Sequence, residues 1–392
     1  MNNTPKTLVF FSFYFRPDLS AGSFRNSTLL DALETQPGDK LTKVVITTKP
    51  NRYQEFRTES KTYEKIGSTE IYRIQIPDHQ SGIADQIKAY TIYFYRGLKI
   101  ATKYKPVLVY ASSSRLFTGF LGAIYARLSG GALYLDIRDI FLDTILDIYR
   151  NSVLKYFISP IVSIVEVVTM RSAQHINLIS YGFKKYFFDK YPDRLFSEFT
   201  NGIDSIFLDQ KDESELTASM ENTIIYAGNI GEGQGLHIFV PGLAEKLPQY
   251  KIIIIGDGGA KQKLIDKVQG LTNVQLLPPT SREMVLKYFR NAKYTLIHLN
   301  SNVAFKKVLP SKVFELAAIN KPILAGVDGY AASFIAENIK ECLLFKPGDY
   351  EKAAKLIYAH EHVPVDRISF RTQFSRKNIN KKMSRSILSY VK

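Results

Sequence analysis

The chain has 392 residues, with 52 Lys and Arg against 37 Asp and Glu (net charge +15), 45% apolar and 23% charged residues. This length is long for one hydrophobic core and suits two domains, and the composition is globular rather than disordered. A single cysteine, Cys342, excludes an intramolecular disulfide and fits a reducing cytoplasm.

In chain order, Leu8–Phe13 reads as a buried strand and the small-residue loop PDLSAGS leads into a helix from about Ser23. The run around this strand is interrupted by Ser12 and followed by Arg16-Pro17, so no signal peptide is expected. Lys43–Thr48 and Glu70–Gln75 read as strands, with residues 51–67 polar and irregular between them. A helix at about Ala84–Tyr104 precedes strand Val107–Ala111, apolar helix Phe117–Leu128, and strand Ala132–Ile137, which ends in Arg138-Asp139. The next helix is long and apolar, with a break expected near Pro160. It carries Lys155, Pro160 and Glu166, so it is not read as a membrane span. His175–Ser180 is a further strand, and Thr200–Gln210 reads as a linker.

The pattern then restarts. Strands are expected at Asn222–Ala227, Lys251–Ile255, Asn273–Leu277, Tyr294–Leu299, Pro322–Ala325 and Glu341–Phe345, with helices between them and a basic helix over about Asp366–Lys392. Such alternation indicates parallel sheets covered by helices on both faces, here in two successive α/β domains. The basic excess suits nucleic acid, anionic lipid or phosphorylated ligands. No nucleic-acid motif accompanies it, so no nucleic-acid partner is expected. The stretch Tyr90–Lys105 mixes Tyr and Phe with Arg96, Lys99, Lys103 and Lys105, the make-up of an interfacial helix on anionic lipid. The plainer reading is an amphipathic helix packed on a sheet.

Ligands of open parallel sheets bind at the carboxyl ends of strands. The loops at such ends are Arg16–Gly22, Arg138-Asp139, Gly228–Gly235 (GNIGEGQG), Gly256–Gly259 and Ala304–Ser311. GNIGEGQG is neither the dinucleotide fingerprint nor a P-loop, yet Gly228 and Gly256 allow a phosphate to approach the backbone, as does Gly22. His298, closing an apolar strand, reads as a core histidine. The richest stretch is FKKVLPSKVFELAAINKPILAG. It predicts a loop, then a helix from Pro310 to about Ile319, with Ser311 and Lys312 in a first turn whose free N–H groups favour an anion. Glu315, one turn on, is placed to accept hydrogen bonds from a diol. The six His and one Cys show no metal-ligand spacing, and no nucleophile motif of the GxSxG kind is present.

Taken together, FRPDLSAGSFR, YASSSRLFTGFLGAIYARLSGGALYLDIRD, FTNGID, IIYAGNIGEGQGL, IIIIGDGG and FKKVLPSKVFELAAINKPILAGVDG make the chain resemble retaining GT-B glycosyltransferases of family 4. It is most similar to the O-antigen and capsule branch that includes N-acetyl-L-fucosaminyl transferases. The resemblance runs from Leu8 to about Gly348. It implies an α/β fold of two Rossmann-like domains facing across a cleft: residues 1–200 for the acceptor, 201–365 for the nucleotide sugar, and a helix over 366–392 crossing back to the first domain.

The same resemblance assigns roles. Glu315 takes the ribose, Pro310, Ser311 and Lys312 sit by the diphosphate, Gly22 lets its loop touch donor phosphate, and Leu277 walls the nucleobase, while Gly228 and Gly256 are donor candidates from their place after strands. Relatives often carry Arg and Lys where this chain has Asn229 and Gln234. These two stay candidate donor contacts, while phosphate charge is expected to fall on Lys306, Lys307 and Lys312. Eight positions before Glu315, where a second glutamate is common, stands Lys307. Arg138 and Asp139, with Lys312, are the candidate catalytic groups, and Arg16, Arg25 and Arg115 the candidate acceptor contacts. The implied reaction moves an N-acetylated, 6-deoxy-type hexose from a nucleotide-diphosphate sugar, with a lean to UDP, onto a polyprenyl-diphosphate-linked sugar. It would run without a cofactor or metal on the cytoplasmic face of the inner membrane. A 2-epimerase of the same fold, or a non-catalytic nucleotide-sugar-binding partner of another transferase, are the alternatives.

Overall fold

Apolar strands alternating with helices give each half of the chain one parallel sheet. In the computed structural model, which describes residues 6–18, 20–36, 41–51, 59–77, 83–113, 116–142, 154–208, 220–361, 363 and 366–391, the chain divides into two units. The first is Met1–Thr200 with Ile379–Lys392 and the second is Asn201–Asn378.

The first unit contains β1 (Thr7–Ser12), β2 (Thr42–Thr48), β3 (Tyr63–Ile66), β4 (Thr69–Ile74), β5 (Leu108–Ser113), β6 (Ala132–Ile137), β7 (His175–Leu178) and β8 (Leu195–Ser197). Their order in the sheet is β3-β4-β2-β1-β5-β6-β7-β8, parallel throughout except at β3/β4. The inner strands are buried on both faces, which is why TLVFFS and LVYASS read as continuous apolar or small-residue runs. On one face Leu29, Leu30 and Leu33 of helix Ala21–Glu34 pack on Phe10 and Tyr110, joined by Met383 and Ile387 of the last helix, Arg376–Leu388. Helices Ile83–Ala101, Leu116–Ser129 and Leu154–Ser172 form a second layer, each packing beside the next.

The second unit contains β9 (Met220–Asn229), β10 (Lys251–Asp257), β11 (Val274–Leu277), β12 (Ala292–His298), β13 (Ile323–Gly326) and β14 (Cys342–Phe345), in the all-parallel order β11-β10-β9-β12-β13-β14. The chain winds outward in opposite senses from β9 and β12. Their carboxyl ends therefore flank the crevice at which such sheets take ligands.

Four local expectations need correction. The stretch expected to be irregular before Glu70 holds β3, paired antiparallel to β4 across a tight turn at Gly67 (φ +57°), while residues 52–58 lie outside the described residues. The helix expected to break at Pro160 runs unbroken from Leu154 to Ser172. Packing of Ile158, Val162 and Val165 on Leu116 and Phe120 offsets the one hydrogen bond that proline removes. The expected linker is ordered as far as Leu208: Ile203 is fully buried, bridges to Ser375, and precedes helix Ser205–Leu208. The terminal basic segment forms two helices, Ile368–Gln373 and Arg376–Leu388. Among the described residues no helix is long and apolar enough to cross a membrane.

Candidate active site

Helix Lys312–Ala318 starts two residues later than the proline suggests, with Ser311 as its N-cap residue in helical backbone geometry. Val313, Phe314, Leu316, Ala317 and Ala318 bury one face. That orientation leaves Lys312 and Glu315, three positions apart, together on the other face, with Nζ 3.2 Å from Oε2. Lys312 also reaches the end of β9: a Cβ built on Gly228 would lie 3.4 Å from its Cε and 3.6 Å from its Nζ. Gly228 thus keeps bare backbone beside an ammonium group at the switch point of the sheet.

Glu315 has a second partner that the sequence did not advertise. Arg282, first residue of helix Arg282–Asn291, places Nη2 3.3 Å from Glu315 Oε1, and its Nη1 holds Asp204. Arg376 reaches the same aspartate at 2.5 Å and donates through Nε and Nη2 to the carbonyls of Asn201 and Gly202. Three cations thus converge on two carboxylates. Burial pushes the Glu315 carboxyl up, but Lys312, Arg282 and Arg376 outweigh it and hold the group below the usual glutamate range. The carboxylate is therefore charged and ready to accept hydrogen bonds at neutral pH. Arg282 was legible in principle, since it follows β11 at a strand's carboxyl end and Ser281 caps its helix through Met284 N.

Asn229 and Gln234 turn toward each other instead of lying open. Asn229 Nδ2 donates to Gln234 Oε1 at 2.8 Å, and Gly231 N–H donates to the same oxygen at 3.2 Å. Asn300 Nδ2 donates to Glu232 O at 2.8 Å, and the Asn300 N–H to Gly233 O at 2.8 Å. Two positions expected to touch the donor therefore brace the loop that would approach it. His298 completes the brace: Nδ1 lies 2.6 Å from Gln234 O and Nε2 lies 2.9 Å from Gly348 N. The ring therefore carries its proton on Nδ1, which donates, while Nε2 accepts. Burial lowers its pKa to about 4, so it is a neutral core histidine as the sequence suggested.

Gly256 has a backbone role of its own. A Cβ there would lie 1.9 Å from Gly228 O, so this glycine is required by the backbone of the neighbouring strand end. Leu277 closes β11 and packs on the core. Lys306 is paired with Asp328 at 3.1 Å, and Lys307 and Pro310 are half-buried near the end of the same connection. Lys306 and Lys312 therefore both have carboxylate partners within the unit.

In the first unit, Gly22 and Arg138 come together: a Cβ at Gly22 would meet Arg138 Nη1 at 2.7 Å. The guanidinium thus lies on bare backbone at the start of helix Ala21–Glu34, whose Ser20 Oγ accepts from Ser23 N at 3.2 Å. Asp139 Oδ1 accepts from Ile140 N at 2.8 Å. The acceptor candidates fare differently. Arg25 is fully buried, bidentate on Asp136 (2.8 and 2.9 Å), and donates to the carbonyls of Phe199 and Thr200, so it is a core ion pair out of reach of any acceptor. Arg16 pairs with Asp31 at 2.7 Å on the surface. Arg115 lies outside the described residues.

Two parallel-sheet units of this kind, with glycine loops and a cationic helix start at the switch point of the second, define the GT-B architecture. Residues 208–380 match the family described as Glycosyl transferases group 1, a stretch that lies almost wholly in the second unit. The chain is 32% identical over 111 residues to a protein of Escherichia coli named as the colanic acid biosynthesis glycosyl transferase WcaI. That match spans 27% of this chain and 27% of the relative. Among solved structures, the sucrose-phosphate synthase of Thermosynechococcus elongatus superposes with a TM-score of 0.69 at 14% identity, covering 97% of this chain and 94% of that one. HepE of Anabaena, in complex with UDP and glucose, superposes with a TM-score of 0.67 at 15% identity, covering 97% and 99%.

Proposed function

We propose that the chain is a retaining glycosyltransferase that moves a hexose, N-acetylated and of 6-deoxy type, from a UDP-sugar to a polyprenyl-diphosphate-linked sugar in bacterial surface-polysaccharide synthesis, as a peripheral protein of the inner membrane. The second unit takes the donor and the first the acceptor. The observation that carries the reading is the Lys312–Glu315 pair at a helix start against Gly228. Support for the donor class comes from the group 1 domain and from a solved neighbour that holds UDP and glucose.

The chemical task is to stabilise a departing nucleoside diphosphate while an acceptor hydroxyl attacks the anomeric carbon. Positive charge placed where the leaving group's charge develops supplies most of that stabilisation. Lys312 is that charge, and Glu315 accepts from the ribose hydroxyls while Arg282 holds it in place. A charge-assisted hydrogen bond is worth about 1.5–3 kcal/mol. Attack occurs on the face the leaving group departs from, with the phosphate oxygen taking the hydroxyl proton. Arg138, against Gly22, is the first unit's candidate cation for an anionic group, and Asp139 its candidate for orienting a sugar. With lysine and arginine meeting the diphosphate, turnover is expected to proceed without metal and to survive EDTA.

Steady-state kinetics with a UDP-sugar panel and a lipid-linked N-acetylhexosamine acceptor, read by product mass, tests the reading. Glu315→Ala raises the donor KM strongly, and Lys312→Ala lowers kcat. Wild-type kinetics for both variants overturns the assignment. Donor consumed in the absence of acceptor shows an epimerase instead.

A further inference from the structure

The first unit carries 30 of the 52 Lys and Arg residues and 18 of the 37 Asp and Glu residues, a net charge of +12 out of +15. Its outer helical layer also exposes apolar side chains that a solvated surface does not need. On helix Leu154–Ser172, Phe157 is 69% exposed, Ile161 61% and Ile164 64%, with Tyr156 beside them at 77%. Spacings of four and three residues put Phe157, Ile161 and Ile164 on one stripe. The opposite side holds the helix in place: Val162 and Val165 pack on Leu116, and the buried carboxylate of Glu166 accepts from Lys190 Nζ (2.5 Å) and from the hydroxyls of Tyr186 and Tyr191. The stripe faces outward on a helix fixed from within.

Helix Ile83–Ala101, which lies beyond Leu116–Ser129 in the same layer, supplies the charge. In Tyr90–Lys105 most aromatics turn inward: Tyr93 is buried and donates to Ile46 O at 2.8 Å, Tyr90 stacks on Phe13 and Phe94 on Phe120. Tyr95 remains exposed, along with the basic side chains. Across the three helices of this layer the described exposed charges are Lys88, Arg96, Lys99, Arg127 and Arg171 against Asp85. A helical layer with an apolar stripe and mostly cationic exposed charges complements a surface with an apolar interior and an anionic skin. Two copies of so basic a unit repel each other, which argues against a second chain as the occupant.

We infer that this layer docks on an anionic lipid surface, with Phe157, Ile161 and Ile164 entering the headgroup boundary and Lys88, Arg96 and Lys99 binding lipid phosphate. The inference deepens the proposed lipid-linked acceptor, and rests on that reading only for its purpose.

The test uses the full chain pelleted with vesicles of phosphatidylcholine, with and without phosphatidylglycerol, in the absence of donor and acceptor. Binding is expected on the phosphatidylglycerol vesicles. Ile161→Ser with Ile164→Ser lowers the partition coefficient by about tenfold or more, and Arg96→Gln with Lys99→Gln lowers it only where anionic lipid is present. The chain has no tryptophan, so Phe157→Trp gives a single reporter whose emission shifts blue on vesicles, while Ile238→Trp, exposed in the second unit, does not shift. Wild-type binding by the double serine variant, equal shifts from both reporters, or a dimer in solution that the serine variant dissociates would each overturn the inference. Loss of vesicle binding with full turnover of a soluble acceptor analogue separates failure of docking from failure of the enzymatic reading.

Discussion

Arg282 Nη2 lies 3.3 Å from Glu315 Oε1, while Nη1 of the same guanidinium is held by Asp204. The carboxylate assigned to the donor ribose is thus steered from another helix, by a cation that is itself anchored. Through Asp204 and Arg376 the chain of charges ends on the carbonyls of Asn201 and Gly202, where the second unit begins. Arg282→Gln leaves Lys312 as the side chain paired with Glu315, with Arg376 acting on it at longer range. The donor KM should rise about 5- to 30-fold, equivalent to ~1–2 kcal/mol, with kcat changed less than about twofold. Asp204→Asn should move KM in the same direction. A fall in kcat at unchanged KM would instead place Arg282 on the leaving group.

The strand–helix alternation, the parallel sheets and the loops at strand ends were legible because burial on both faces leaves apolar runs that composition reveals. Glu315 and Lys312 were legible because a proline and a short helix start put them in one turn. Partnerships were not. Nothing local in SREMV says that Arg282 reaches a residue 33 positions on, or that Asn229 and Gln234 bond each other. Arg25 reads as an acceptor contact because its partner, Asp136, lies 111 residues away. The stretch Tyr90–Lys105 shows the same limit: composition gives the aromatic content but not which face of the helix each ring takes.

His298 makes a prediction about pH. Its folded pKa is lowered to about 4 by burial, against about 6.5 for a free histidine. Between those values the unfolded chain holds a proton that the folded chain does not. The stability contribution is therefore fully present above about pH 6.5, declines as pH falls, and levels off below about 4, a change of ~3 kcal/mol. His175, also lowered to about 4 by burial, adds in the same window. Glu315 acts in the opposite range, since a depressed carboxyl loses its contribution only below about pH 4.5. Melting temperature followed from pH 7 to 5 should fall, with a shallower slope in His298→Gln.

Gly256 should tolerate no side chain. A Cβ would stand 1.9 Å from Gly228 O, and its φ of +153° adds strain. Because β9 and β10 pair in register through Gly228 and Gly256, the clash cannot be relieved without separating the strands. Gly256→Ala should cost roughly 3 kcal/mol or more in denaturant unfolding. A loss below about 1 kcal/mol would mean that the strand ends move apart freely, and that the loop is softer than its hydrogen bonds imply.

Two arginines with the same expected role should separate by stability. Arg16 pairs with Asp31 where the side chains are 37% and 51% exposed, and such a pair contributes about 1 kcal/mol or less. Arg25 and Asp136 are both fully buried, and Tyr110 and Asn177 also donate to the aspartate. Burial pushes the Asp136 carboxyl up, but Arg25 outweighs it and keeps the carboxyl below its usual range. Removing the guanidinium strands that charge in the core, at a cost of ~3–5 kcal/mol. Arg16→Met should therefore leave the melting temperature nearly unchanged, while Arg25→Met lowers it sharply. Adding Asp136→Asn to Arg25→Met should recover part of the loss, because the buried negative charge is then gone. Recovery in that double variant, measured by thermal unfolding at neutral pH, identifies Arg25 as half of a structural ion pair. Equal melting temperatures for the two single variants would return it to the list of acceptor contacts.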